Sequence, residues 1–379
     1  MRYLITFFLL LLHIATGGAQ SPTDIHGTWT AEIHSGKVNL QVRTAPPPEW
    51  NRGGDWRGDW STGQTFPVED LVGIPNSDTF TLASVKFDLR REAGTLSFEG
   101  SFRDGRGAGL FTFAERPAFT GEMRSLGYTD DLPAWRRFQF AIHDVGPKYI
   151  RDLKGEGFDK LTLDQVQRAK THGVSIDYIK EMKGQGFKVA ALEELVRTRD
   201  HGVTGDFVKA MKAEGFTGAA LEEFVRLRDH GVTQQFVQDM KKAGFTGATL
   251  EDLVRARDHG VKPDYVQEIR RLGLGVTTLE QFVRLRDHGV TTDYVKAMES
   301  QGFKNVAVED LVRTKDHGVS AEFVADMKEI GLKDLTLSEL VRLRDHGITP
   351  GFVNHARARG YKTTDPEELV RLKNGGLWK

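Results

Sequence analysis

The most chemically suggestive feature of the chain is a row of histidines. His172, His201, His230, His259, His288, His317 and His346 stand 29 residues apart, and His143 extends the row backwards. Six methionines (Met123, Met182, Met211, Met240, Met298 and Met327) repeat in step with it, ten residues after each histidine where one is present. Rows of His and Met could handle a metal ion, but equivalent positions on stacked helices lie about 8 to 10 Å apart. Ligands of one zinc ion must each come within about 2 Å of it. The rows are therefore read as structural, with methionine filling core gaps and histidine closing a helix whose C-terminal dipole suits it. No metal or cofactor is expected.

Arginines form a second row: Arg168, Arg197, Arg226, Arg255, Arg284, Arg313, Arg342 and Arg371. Such a ladder could recognise a polyanion. An acid stands four residues before most of them, as in Glu193 with Arg197 and Glu222 with Arg226, the favourable order for pairing within one helix. A self-paired, solvated face is expected, and no nucleic acid partner. A third candidate is the glycine-rich stretch 49–60, where Trp50, Arg52, Trp56, Arg57 and Trp60 could stack on sugar rings or anchor a protein partner. The competing reading is that the tryptophans cover the open end of a small β core. Catalysis is not expected: there is no cysteine, and no HExxH, GxSxG, Walker or dinucleotide-binding motif.

The elements that position these residues follow from the repeat. Numbered from its histidine, the unit reads H-G-V-T-x-D-[YF]-V-x-x-M-K-x-x-G-F-x-x-x-T-L-E-[ED]-[LF]-V-R-x-R-D, and eight units fill residues 143–374. Thr or Ser at position 4 caps a first helix, and proline at position 5 (Pro147, Pro263, Pro350) fits its first turn. Glycine at position 15 stops that helix after about eleven residues. A capping box such as Thr249 with Asp252, or Thr336 with Glu339, opens a second helix, and His-Gly closes it. A helix pair this short cannot bury its apolar face alone, so the units are expected to stack as an α-solenoid.

Before the repeats the periodicity changes. Residues 20–115 contain alternating runs such as 28–33, 38–42, 85–89 and 95–102 separated by turns, which predicts a small antiparallel β domain, a sandwich or a barrel. Residues 116–142 read as a degenerate capping helix pair, because Phe119, Met123, Gly127 and Tyr128 match positions 7, 11, 15 and 16. Residues 375–379 form a tail. At the start, Arg2, the apolar run 4–14 and the small residues to Ala19 read as a signal peptide (1–19), too short for a membrane span. A soluble periplasmic or secreted protein is expected. With 379 residues, Lys+Arg 52 against Asp+Glu 53, the composition excludes a polybasic binder and an acidic disordered chain.

The helix-pair repeat, together with the preceding strands at Gly100 to Phe102 and Gly107 to Phe113, resembles the repeat-bearing tail of bacterial penicillin-sensor-type membrane metallopeptidases and related exported proteins. The HExxH motif and membrane helices of such peptidases are missing, so the resemblance implies no proteolytic residue, only an extracytoplasmic sensing or binding module. The resulting α+β expectation is a non-catalytic scaffold whose repeat surface recognises a protein or peptide. Carbohydrate or cell-wall binding through the tryptophan loop is the alternative, and an enzyme of unrecognised type a further one.

Overall fold

The computed structural model describes residues 25–45, 59–74 and 83–376. The signal segment 1–19, the end of the tail, and Trp50, Arg52, Trp56 and Arg57 lie outside the described residues. The fold is α+β, an antiparallel sheet followed by eighteen helices among the described residues. The chain divides into two compact units, residues 1–180 with 189–196, and residues 181–188 with 197–379. None of the described helices is long and apolar enough to cross a membrane.

The first unit begins with seven strands: β1 (Ile25–His34), β2 (Lys37–Thr44), β3 (Trp60–Pro67), β4 (Leu71–Val72), β5 (Ala83–Arg91), β6 (Gly94–Arg103) and β7 (Arg106–Glu115). Alternation decides which face is buried. In β2, Val38, Leu40 and Val42 are buried while Asn39 and Gln41 face solvent. At the centre of the buried face, Trp29 meets Phe87 edge-on at 5.2 Å and donates its indole N–H to the Glu99 carbonyl at 3.2 Å.

The strands form one half-barrel sheet of order β3-β2-β1-β7-β6-β5-β4, rather than two packed sheets or a closed barrel. Its end strands β3 and β4 do not pair with each other among the described residues. A second sheet is unnecessary, because a helix covers the apolar face. After α1 (Phe119–Ser125), α2 (Ala134–His143) lays Phe138 against Phe111, rings stacked at 5.8 Å, and edge-on to Phe113 at 5.6 Å. The 116–142 pair thus contributes its second helix to the core of the sheet. It also obeys the repeat rule, since α1 meets α3 (Pro147–Gly155) and α2 meets α4 (Leu163–Thr171).

After α5 (Ile176–Gly184) and α6 (Leu192–Asp200), the second unit alternates first and second helices of the repeat. The first helices are α7 (Gly205–Ala213), α9 (Gln234–Lys242), α11 (Pro263–Arg271), α13 (Thr292–Ser300), α15 (Ala321–Glu329) and α17 (Pro350–Ala358). The second helices are α8 (Leu221–Asp229), α10 (Leu250–Asp258), α12 (Leu279–Asp287), α14 (Val308–Asp316), α16 (Leu337–Asp345) and α18 (Pro366–Asn374). Like meets like in successive repeats: α7 contacts α9, α9 contacts α11, and α8 through α18 follow the same rule. Met211, Met240, Met298 and Met327 are fully buried beneath these contacts.

The end signals act as expected, although each first helix is nine residues long, shorter than about eleven, because position 14 already leaves the helix. Thr204 accepts from the Phe207 N–H at 3.2 Å. At the other end, Gly231 takes φ 65, and the Val232 N–H bonds the Leu227 carbonyl at 2.8 Å. A side chain at Gly231 has room, its Cβ 3.6 Å from Arg257, so the penalty is backbone strain. Gly231→Ala is expected to lower stability by about 1 kcal/mol, read from denaturant curves; an unchanged midpoint would contradict the left-handed turn.

Candidate functional site

Of the tryptophan-loop residues only Trp60 is described, and it is the first residue of β3, half-buried against Trp135 at 5.1 Å and Phe138 at 5.8 Å. At that position the ring extends the aromatic core between sheet and α2.

A charged seam joins sheet and helices within the first unit. Helix α3 starts after Gly146 and has no capping side chain of its own. Glu92, in the β5–β6 turn, takes that role by accepting the Lys148 backbone N–H at 3.0 Å. A Cβ at Gly146 would collide with the Glu92 carboxylate, so glycine is what lets the turn approach. Beside it, Arg91 reaches Asp70 at 2.8 Å and Asp144 at 3.5 Å, and Lys170 meets Asp144 at 3.0 Å. Arg116 bonds both carboxylate oxygens of Glu122 at 2.7 and 2.8 Å, holding that carboxyl below its usual range. An open groove of about 740 Å³ lies alongside, lined among others by Lys148, Arg151, Lys180, Asp152 and Asp177. Its walls carry both signs of charge and suit a polar, zwitterionic ligand better than an apolar one.

In the repeats, five rows of side chains tie helices together. The arginine row pairs differently from the sequence expectation. Arg197 meets Glu222 at 2.7 Å, Arg226 meets Glu251 at 2.7 Å, Arg284 meets Glu309 at 2.5 Å and Arg342 meets Glu367 at 2.6 Å. Arg255 pairs with Glu280 in the same way, and Arg168 with Glu193 in the first unit. Each pair links the second helix of one repeat to that of the next, 25 residues on, instead of residues four apart in one helix. The carboxylate is supplied by the neighbouring second helix, which the contacts of α8 with α10 and of α10 with α12 bring alongside. Both partners remain about half exposed, so Arg255→Ala should cost only about 0.2 to 1 kcal/mol, less than or equal to Gly231→Ala in the same denaturant assay.

The histidines form a second row. Nδ1 of His201 lies 2.6 Å from the Asp229 carboxylate, and His230, His259, His288 and His317 repeat this with Asp258, Asp287, Asp316 and Asp345 at 2.5 to 2.9 Å. A carboxylate only accepts, so Nδ1 carries the proton in each pair. In the first repeat Thr171 stands where the aspartate would be, and burial pushes the His143 imidazole below its usual range.

Three further rows escape sequence reasoning. The cation at position 28 lies over the aromatic ring at position 7 of its own repeat: Arg228 over Phe207 at 5.0 Å, Arg257 over Phe236 at 5.2 Å and Arg344 over Phe323 at 4.9 Å. The cation at position 12 donates to the last carbonyls of the preceding first helix, as Lys241 does to Glu214 at 2.8 Å and Arg357 to Ile330 at 2.5 Å. Lys154 does the same for Leu126 at 2.8 Å. Where position 7 is tyrosine, its hydroxyl donates to the position 3 carbonyl of the next repeat, Tyr265 to Val290 at 2.8 Å and Tyr294 to Val319 at 2.9 Å. Burial pushes Tyr265 up to about 12. For the first of these rows the signal was present in the sequence as two jointly filled columns, aromatic at position 7 and cation at position 28, but spacing alone does not say that they face each other; the other two end on backbone carbonyls, which leave no mark in the sequence.

One acid is set apart. The Glu214 side chain, only 10% exposed, accepts from Lys241 at 2.8 Å, Gln238 at 2.7 Å and Gln234 at 3.1 Å. These bonds, the Lys241 ammonium first, hold its carboxyl at about 2 against an ordinary 4.5. A depressed carboxyl contributes stability that is complete above its unfolded value and is lost as pH falls through the folded one. Stability should therefore fall between pH 4.5 and about 2, and Glu214→Gln should flatten that fall in denaturant titrations at stepped pH. An unaltered slope would remove Glu214 as a cause.

No protein-family model matches the chain, and no curated protein is detectably similar to it.

Proposed function

We propose that the chain is a periplasmic or secreted, non-catalytic binding scaffold, in which the 29-residue repeats stack as an α-solenoid and a protein or peptide partner lies along the exposed second helices. The observation that carries this reading is the pairing of like helices in successive repeats, braced by the Arg–Glu and His–Asp rows. Such bracing keeps a long surface in shape without a ligand. Helix layers about 8 to 10 Å apart match every third residue of an extended peptide rising about 3.3 Å per residue. A partner could thus meet one repeat after another in register.

The test is crosslinking of purified mature protein to the extracytoplasmic fraction, followed by mass spectrometry. Reproducible crosslinks from the second helices to one partner are expected; crosslinks confined to the sheet, or none, would count against it. Export is checked separately. The mature N-terminus is expected at Gln20, and an intact mass retaining residues 1–19 would reverse that.

A further inference from the structure

The Arg–Glu row is interrupted at one step of the second unit. From α8 to α10, α10 to α12, α12 to α14 and α16 to α18, an arginine on one helix holds a glutamate at the second residue of the next, as Arg226 holds Glu251 at 2.7 Å and Arg342 holds Glu367 at 2.6 Å. From α14 to α16 the second residue is Ser338. Arg313 is exposed there and has no ion pair among the described residues. Glu339, next to Ser338, is engaged with Thr336, whose N–H it accepts at 2.8 Å. His317 is engaged with Asp345 at 2.6 Å, and Arg342 with Glu367. Glu339, His317 and Arg342 are thus already engaged, and Glu309, four residues before Arg313 in its own helix, is held by Arg284 of α12.

We infer that Arg313, beside Ser338, is the anchor for a carboxylate of the partner. The inference rests on the scaffold reading above and deepens it by naming the chemistry recognised: an acidic side chain or a chain end. The sister steps supply the geometry. At Arg197, Nε and Nη2 address the two oxygens of Glu222 at 2.9 and 2.7 Å, the planar two-pronged arrangement that a carboxylate satisfies. Arg313 stands at the same place on its helix with a serine opposite, so the carboxylate can come from outside the chain.

The direct test uses labelled protein and an acetylated, amidated tripeptide, Ala-Glu-Ala, titrated while the arginine side-chain Nε–Hε resonances are followed. Arg313 is expected to shift saturably, while Arg226, already paired, does not. Ser338→Glu, which supplies the acid from within, should abolish the Arg313 response and raise the melting temperature slightly. Glu251→Ser should make Arg226 respond as Arg313 does. Equal responses of Arg313 and Arg226 in the unaltered protein, or an Arg313 response that survives Ser338→Glu, would overturn the inference. With a crosslinked partner in hand, Arg313→Ala and Ser338→Glu should each weaken its binding by about tenfold, the scale of one charge-assisted pair. Unchanged affinity in both would sink this anchor and leave the scaffold standing, whereas the absence of any partner would sink the scaffold reading itself.

Discussion

Phe138→Ala is expected to lower the stability of the first unit by about 3 to 5 kcal/mol. The ring is fully buried, stacked on Phe111 at 5.8 Å, and touched edge-on by Phe113 and Trp60. It packs α2 against a sheet that, among the described residues, no second sheet covers, and truncation leaves a cavity that flanking strands cannot fill without breaking their ladder. Leu110→Ala on the opposite face, where the side chain is 66% exposed, should stay within about 0.5 kcal/mol. Urea titrations of both variants, followed by tryptophan fluorescence, make the comparison. Equal effects would mean that α2 does not close the core.

Phe282→Ala is expected to have a similar cost, about 3 to 5 kcal/mol, but with a different reach. Phe282 of α12 is fully buried and meets Phe245 edge-on at 5.8 Å and Tyr265 at 6.2 Å, so it joins its own repeat to the one before. Repeats that contact mainly their neighbours lose stability locally, because intrinsic and nearest-neighbour contributions add. Hydrogen exchange should accelerate in α10 to α14 while the amides of β1, β6 and β7 keep their protection. Loss of protection in the sheet as well would show that the two units unfold as one.

The local elements were legible because their signals act over three or four residues. Thr204, Thr233 and Thr291 cap helices by bonding N–H groups three residues on, and Gly231 and Gly244 end them at φ 65 and 98. Those bonds need no distant partner. The alternation of β2 likewise predicts which of its residues are buried, and the methionine column predicts a buried row.

What only the tertiary structure decided concerns partners with a choice. Arg226 has Glu222 four residues before it in its own helix and Glu251 in the next, and a long side chain can reach either. Packing of α8 against α10 settles the pairing with Glu251 at 2.7 Å. Successive second helices likewise bring His201 to Asp229 at the end of α8, and set Arg313 of α14 at the step where α16 carries Ser338. The sheet shows the same division: strand periodicity reads out one buried face per strand, but whether that face meets a second sheet or a helix depends on α2, whose aromatic residues carry no local mark of their partner. Sequence by itself determined the helix pairs, their caps and closing glycines, and the apolar side of strands such as β2, because those follow from bonds within a few residues. Tertiary structure decided which charges meet and what covers the sheet, because those depend on distances between elements that no local pattern encodes.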